Sequence, residues 1–234
     1  MPIFEHLILN GRPGSGKTDF INFVRSSSFE QRRERLHIGN FIELDDFEWL
    51  WEKFLEDDVW ESVGHRRLYS EKYDGGYLEN DSPALLEFLI GKFNQVIRRD
   101  YLSQPAIYDD YTIMLEYARG KADGGYRRCF ELLDLEILQR CAVLHLWISF
   151  DEAQRKNPLR AHPLPPQSLT RFGGEHDWDE LTLGRDSGYL EIRGVKVPFV
   201  TVMNEPEPAP NSLAAHYESA LQRLMQLYQS RQDA

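Results

Sequence analysis

Gly11-Arg12-Pro13-Gly14-Ser15-Gly16-Lys17-Thr18 matches the pattern GxxxxGK[ST] at every fixed position. The apolar run Ile3, Phe4, Leu7, Ile8 and Leu9 leads into it, and Phe20, Ile21, Phe23 and Val24 follow at helical spacing. A strand, a glycine-rich turn and a helix start, in that order, read as a phosphate-binding loop. Glycines let the backbone take positive φ and approach a ligand, so consecutive N–H groups converge on phosphate oxygens at the positive end of the helix. Gly11, Gly14, Ser15, Gly16, Lys17 and Thr18 are the candidate nucleotide-binding residues. Lys17 would span the β- and γ-phosphates, and the Thr18 hydroxyl would ligate a Mg2+ held between them.

The bulk composition narrows the setting of that loop. At 234 residues, with 41% hydrophobic and 28% charged residues, the chain has material for one sizeable core and reads as an ordinary globular domain. A net charge of −11 argues against a broad surface for duplex nucleic acid or an anionic membrane, so phosphate must be held by local positive groups. The arginine pairs at 32–33, 66–67, 98–99 and 127–128 are interleaved with acids and read by default as solvated faces. Two cysteines, Cys129 and Cys141, cannot frame a fold of this size, and no zinc-type cluster accompanies them. No apolar run reaches the ~18 residues of a membrane span, and a cytoplasmic location is expected.

Outward from the loop, Leu36 to Leu44 reads as the next strand, closed by Asp45-Asp46. Phe47, Leu50, Trp51, Phe54 and Leu55 then mark one apolar helix face. Asp45 followed by Glu48 resembles a capping box, while one of two adjacent acids can cap and leave the other for chemistry; both readings stand. Ser62 to Asp81, with Arg66, Arg67 and the turn Asp74-Gly75-Gly76, reads as a long polar excursion of the kind that forms lids and binding loops. Ser82-Pro83 opens a helix with Leu85, Leu86, Leu89 and Phe93 on one face. Ala106-Ile107-Tyr108 reads as a short strand ending in Asp109-Asp110, and Asp109 is the first choice for a carboxylate facing Mg2+. Thr112 to Ala118 and Arg127 to Arg140 look helical, Cys141 to Ile148 is the next strand, and a short polar helix carrying Arg155 and Lys156 precedes Arg160. Arg171 to Gly188 reads as a loop with a solvated acidic cluster. A hairpin over Tyr189–Ile192 and Lys196–Val202 and an amphipathic terminal helix complete the chain.

Strands alternating with helices behind a phosphate loop predict an α/β fold with a mainly parallel sheet. The chain resembles the P-loop nucleoside and nucleotide kinase superfamily. Gly11 to Thr18 matches its Walker A loop, Leu44-Asp45-Asp46-Phe47 is similar to the Asp-Asp-Phe stretch of uridine kinase-like members, Ala106 to Asp109 resembles a short Walker B, and Asp151 to Arg160 resembles the lid after the fourth strand. That resemblance implies a three-layer α/β/α P-loop NTPase domain over residues 1–234 with a five-stranded parallel sheet. It also implies a substrate-binding insertion over 46–104 and a lid and hairpin over 150–190.

The expected activity is transfer of the γ-phosphoryl of ATP to a small acceptor such as a nucleoside or nucleotide. Lys17 with Arg155 or Arg160 would stabilise charge, Thr18 and Asp109 would organise Mg2+, Asp45 or Asp46 would serve the acceptor hydroxyl, and Arg66 and Arg67 would grip the acceptor. The alternative is a P-loop ATPase or nucleotide-dependent switch acting on a protein partner. The absence of an NKxD motif weakens its GTPase version.

Overall fold

The computed structural model describes residues 1–73, 76–80, 82–160, 162–209 and 212–231. Strand β1 (His6–Gly11) leads through the loop into helix α1 (Lys17–Ser26), a short α2 (Phe29–Gln31), β2 (Asn40–Asp45) and α3 (Asp46–Ser62). A hairpin, β3 (Ser70–Tyr73) with β4 (Gly76–Glu79), precedes α4 (Ser82–Ile97) and β5 (Tyr111–Tyr117). Next come α5 (Gly125–Leu132), α6 (Leu135–Arg140), β6 (Cys141–Trp147), α7 (Phe150–Lys156), α8 (Pro166–Gly173) and α9 (Trp178–Thr182). β7 (Ser187–Ile192), β8 (Val195–Met203) and α10 (Leu213–Ser230) close the chain.

The sheet runs in the order β2-β5-β1-β6-β8-β7, with five parallel strands and β7 added antiparallel at the edge. It therefore has six strands rather than five, because the β7–β8 hairpin supplies an extra edge. Alternation along β1 splits its side chains between two layers, as a central parallel strand requires. Leu7 and Leu9 pack with Phe20, Val24 and the α10 residues Leu221 and Leu224, while Ile8 packs on the other face with Phe93, Phe130 and Phe199. A third apolar cluster, built from Leu50, Phe54, Leu86, Leu89, Leu169 and Phe172, joins α3, α4 and α8 beyond the sheet.

Several sequence expectations give way here. Residues 112–118 fall on and just beyond strand β5 and are not helical: Thr112 to Leu115 are four fully or almost fully buried residues in the centre of the sheet, where tertiary burial decides between helix and strand. Residues 127–140 form two helices broken at Leu133-Asp134. Within 171–188 lies α9, whose Trp178 is buried and stacks on His145 at 4.1 Å. Leu55 is 61% exposed and leaves the apolar face of α3. The polar excursion after α3 holds the β3–β4 hairpin, although Asp74 and Gly75 lie outside the described residues. It is anchored by Asp57, whose carboxylate accepts the amides of Leu68, Tyr69 and Ser70 and the Ser70 hydroxyl.

Candidate functional site

The phosphate loop lies at the carboxyl end of β1, between the ends of β5 and β6. Gly11 takes φ 145°, and a Cβ there would meet the Leu146 carbonyl at 2.3 Å. Gly16 takes φ 94°, and a Cβ would meet Asn204 Nδ2 at 2.5 Å. Glycine is thus required at both by backbone angle and by close approach. Asn204, just beyond β8, donates from Nδ2 to the Ser15 carbonyl at 2.7 Å and pins the loop from the last strand. Arg12 braces the other side, donating to Gly173 O and Ile148 O, both at 2.6 Å. The loop and the end of α8 are thereby held as one piece. Helix α1 begins at Lys17, so the first amides of that helix have no intrahelical acceptor and face the loop's concavity.

Lys17 Nζ folds back onto Gly11 O (3.1 Å) and Arg12 O (3.2 Å) and lies 3.9 Å from Glu116 Oε1. Burial pushes its pKa down, and Arg160 adds to that push, while Glu116, Asp45 and Asp46 oppose it. Glu116 faces Lys17 because of strand register. Asp45 and Glu116 are neighbours across β2 and β5, as are Leu44 and Leu115. Leu44 and Leu115 pack on the α4–α5 side, so the next residue of each strand turns to the α1 side. Two carboxylates thus meet on adjacent strand ends beside the phosphate loop. Burial, together with Asp46 and Glu43, raises the Glu116 pKa against the pull of Lys17. Burial, Glu116 and Asp46 push Asp45 up to about 8.

Asp45 Oδ1 also accepts the Phe47 amide at 2.8 Å, capping α3. The adjacent Asp46 is buried 2.5 Å from Arg119 Nη2, and Arg119 is itself committed to the carbonyls of Ala118 and Leu86. Both acids line the adjoining open space, Asp46 as half of an internal ion pair with Arg119 and Asp45 as the cap of α3 beside Glu116.

That space is a cavity of about 110 Å³ between the loop and α3, α4 and α8. Lys17, Thr18, Asp45, Glu116 and Arg160 line its polar end. Arg160 is largely desolvated, which lowers its pKa against the pull of Glu116 and Asp45, and its guanidinium sits 5.7 Å from the Phe47 ring.

Other sequence candidates fall elsewhere. Asp109 ends a helical turn, Pro105–Asp109, that precedes β5, and so lies at the wrong end of the strand. Tyr108 bonds His6, the first residue of β1, at 2.8 Å, whereas the phosphate loop follows the last, about 20 Å away along the sheet. Arg33 occupies the neighbouring Asp110 at 3.0 Å. The acid at the loop end of β5 is Glu116. Its signal was the five-residue run Tyr111 to Leu115 in front of it, longer and richer in strand-forming residues than Ala106 to Tyr108.

Arg155 is exposed and paired with Glu152 at 2.7 Å, outside the cavity lining. Arg67 is consumed by Asp58 at 2.5 Å and by Ser70, and Arg66 is exposed and outside the lining. Glu116 on β5, Arg119 just beyond it and Asn204 just beyond β8 are absent from the sequence candidates and are brought to the site by strand order.

For Mg2+, the available donors are hard oxygens, the Thr18 hydroxyl and the Glu116 carboxylate. No group of three metal-ligating side chains exists among the described residues. A metal here would complete its shell with phosphate oxygens and water, which is the habit of Mg2+.

The raised Asp45 carries a stability signature. In the unfolded chain its carboxyl titrates near 4, so between about pH 4 and 8 the folded state keeps a proton that the unfolded state releases. Stability should fall as pH rises through that window and level off above it. Asp45→Asn retains a capping oxygen and removes the titration. Discounted for partial exposure, the variant should gain on wild type by on the order of 1–2 kcal/mol between pH 5 and 8.5, about 3–6 °C in Tm. Parallel Tm profiles for the two proteins would refute the raised carboxyl.

No known family pattern and no curated protein matches the sequence. Solved structures match the fold. A gluconokinase from Sinorhizobium meliloti superposes with TM-score 0.51 at 14% identity, over 98% of this chain and 99% of its own. A shikimate kinase from Acinetobacter baumannii in complex with shikimate gives TM-score 0.43 at 14% identity, over 97% and 94%. A chain of the Pnkp1/Rnl/Hen1 RNA repair complex gives TM-score 0.32 at 13% identity over 72% of this chain, which spans 42% of that longer one. The fold is thus that of the P-loop kinases: three layers, α/β/α, around a mainly parallel sheet.

Proposed function

We propose that this chain is a phosphotransferase that moves the γ-phosphoryl group of ATP to a hydroxyl of a small molecule. The observation that carries the reading is the cavity itself, which is lined by Lys17 and Thr18 of the loop together with the carboxylates of Asp45 and Glu116. A nucleotide hydrolase needs only a water beside its phosphate loop, whereas this chain sets a cavity of about 110 Å³ there.

In this reading the amides of residues 14 to 18 hold the phosphates, and Lys17 leaves the Gly11 and Arg12 carbonyls to follow the charge on the transferred group. Thr18 and Glu116 would hold a Mg2+, whose chemistry there would be to offset the negative charge of the phosphates. In its ionised form, which burial and the crowding of acids confine to the alkaline side of about pH 8, Asp45 accepts the hydroxyl proton as the acceptor oxygen bonds to the γ-phosphorus. The bond to the bridging oxygen breaks, with its electron pair leaving on ADP. Arg160 faces the same centre and offsets the developing charge.

Arg160→Ala should therefore lower kcat by about 10–100-fold, while Arg155→Ala stays within about twofold. Equal losses in steady-state assays of the two variants would remove Arg160 from this role.

The product assay uses ATP labelled at the γ-position with a panel of hydroxylated metabolites. Label in an organic phosphate ester supports the proposal. Label appearing only as inorganic phosphate, and only when a second protein is added, supports an ATPase or switch instead. One feature favours that second reading, an exposed apolar stripe of Leu55, Val59 and Trp60 on α3 continued by Val63 at its C-cap.

A further inference from the structure

Lys156, the last residue of α7, is a cation beside the phosphate loop that lies outside the cavity lining. A Cβ built on Gly14 would come 3.3 Å from Lys156 Cβ, so this turn of α7 packs directly on the loop. The Lys156 ammonium reaches Glu207 at 3.0 Å and Glu152 at 3.7 Å, and Glu152 is already paired with Arg155 at 2.7 Å. Its nearer and freer partner is Glu207.

Glu207 belongs to the segment that follows β8, and that segment touches the loop as well. Asn204 holds the Ser15 carbonyl at 2.7 Å, and the Glu205 carboxylate accepts the amide of Ser149, the N-cap of α7, at 2.7 Å. A closed circuit results, running from Gly14 to Lys156, across the ion pair to Glu207, and back through Asn204 to Ser15. Of these links the ion pair joins two charges, and its partners are unequally exposed, 14% for the Lys156 side chain and 62% for that of Glu207. The lysine is kept against the loop by its surroundings, whereas the glutamate projects into water, where an ion pair contributes little.

Resting on the nucleotide half of the phosphotransferase reading, we propose that Lys156 is a further phosphate-binding residue whose ammonium Glu207 occupies until a nucleotide arrives. The several negative charges of a bound polyphosphate outweigh one solvated carboxylate, so the ammonium passes from Glu207 to a phosphate oxygen and the circuit opens at that link. Competition of this kind gives the two partners opposite effects. Removing the lysine removes a phosphate contact, while removing the charge of the glutamate frees that contact from its competitor. A bridge that only held the fold would make both removals act alike.

The test is calorimetric titration of ADP and of a non-hydrolysable ATP analogue, each with Mg2+, into wild type, Lys156→Met, Glu207→Gln and the double variant, with a thermal melt of each. Lys156→Met keeps the aliphatic stem beside Gly14. It should weaken binding of both nucleotides by about tenfold, the effect of losing one hydrogen bond to a charged group. Glu207→Gln should tighten binding by about two- to fivefold, the worth of a partly exposed ion pair. In the Lys156→Met background the Glu207 substitution should leave affinity unchanged, since the competitor then has nothing to compete for.

Shifts of the same sign in the two single variants, or no shift in either, overturn the proposal. Tightening by Glu207→Gln that is equal in both backgrounds makes Glu207 a plain repulsive charge and overturns it too. If Lys156→Met does not fold, the exposed substitution Glu207→Gln decides by itself, and unchanged or weaker binding overturns the contact. Opposite shifts without label transfer to any acceptor leave Lys156 standing and overturn the phosphotransferase reading, whereas folded wild type that binds neither nucleotide overturns both.

Discussion

Lys17→Ala is expected to lower kcat for phosphoryl transfer by about 10²–10³-fold with little change in Tm. The size follows from removing one preorganised positive group from the charge that develops on the transferred phosphoryl. The small stability change follows from compensation. The ammonium donates to two loop carbonyls, at 3.1 and 3.2 Å, and lies 3.9 Å from Glu116, but its burial works against its charge. Deleting it loses the bonds and relieves that burial together. Lys17→Arg should not restore turnover, since a planar guanidinium cannot occupy a site shaped for a point charge beside Gly11. The measurements are single-turnover rates with labelled ATP, alongside thermal melts. A Lys17→Ala rate within tenfold of wild type would place the phosphate elsewhere. This variant tests the phosphate end alone, since hydrolysis and transfer to an acceptor would suffer equally.

The phosphate end was also the more legible in sequence, for a physical reason. The loop's donors, its lysine and its hydroxyl are contiguous from Gly11 to Thr18, and backbone conformation alone brings them together. The carboxylates beside it are assembled by strand register. Asp45 could be read because it closes a strand and opens a helix, two local signals at one residue. Glu116 is marked locally only by the strand-forming run Tyr111 to Leu115 before it, and it gains its place at the site from lying beside Asp45 in the β2–β5 ladder.

The acid doublet Asp109-Asp110 drew attention away from Glu116, since a short apolar run before two acids imitates a strand end. Pro105 instead starts a helical turn that stops short of the sheet. Arginines misled in a similar way. Arg67 sits in the excursion where an acceptor could be gripped, yet Asp58, Glu61 and Ser70 use its donors to hold the hairpin base. Arg160 and Arg155, five residues apart in one polar segment, part company because the chain turns at Asn157–Leu159 and carries only Arg160 over the cavity.

Asp45→Asn should reduce kcat by about 10²–10⁴-fold, the range for losing a positioned general base, while ATP affinity stays within about threefold. The reason to choose Asp45 over Asp46 is the pairing: both line the cavity, but Asp46 sits 2.5 Å from the buried Arg119, whereas Asp45 lies beside another carboxylate, Glu116. Asp46→Asn should accordingly act through the fold, leaving Arg119 buried without its counter-charge and lowering Tm. Glu116→Gln separates the two carboxylates by their work. It should raise the Mg2+ concentration needed for half-maximal rate by about 10–100-fold, whereas Asp109→Asn leaves it unchanged.

The same substitution at Asp45 that slows transfer should stabilise the protein above pH 8, because the crowding of acids that raises its carboxyl is a cost to the folded state. A variant that lost activity and stability together at pH 8.5 would instead make Asp45 a cap of α3 and nothing more. Full turnover in Asp45→Asn would return the acceptor's proton to Glu116, the one other carboxylate lining the cavity whose charge is not already matched by Arg119.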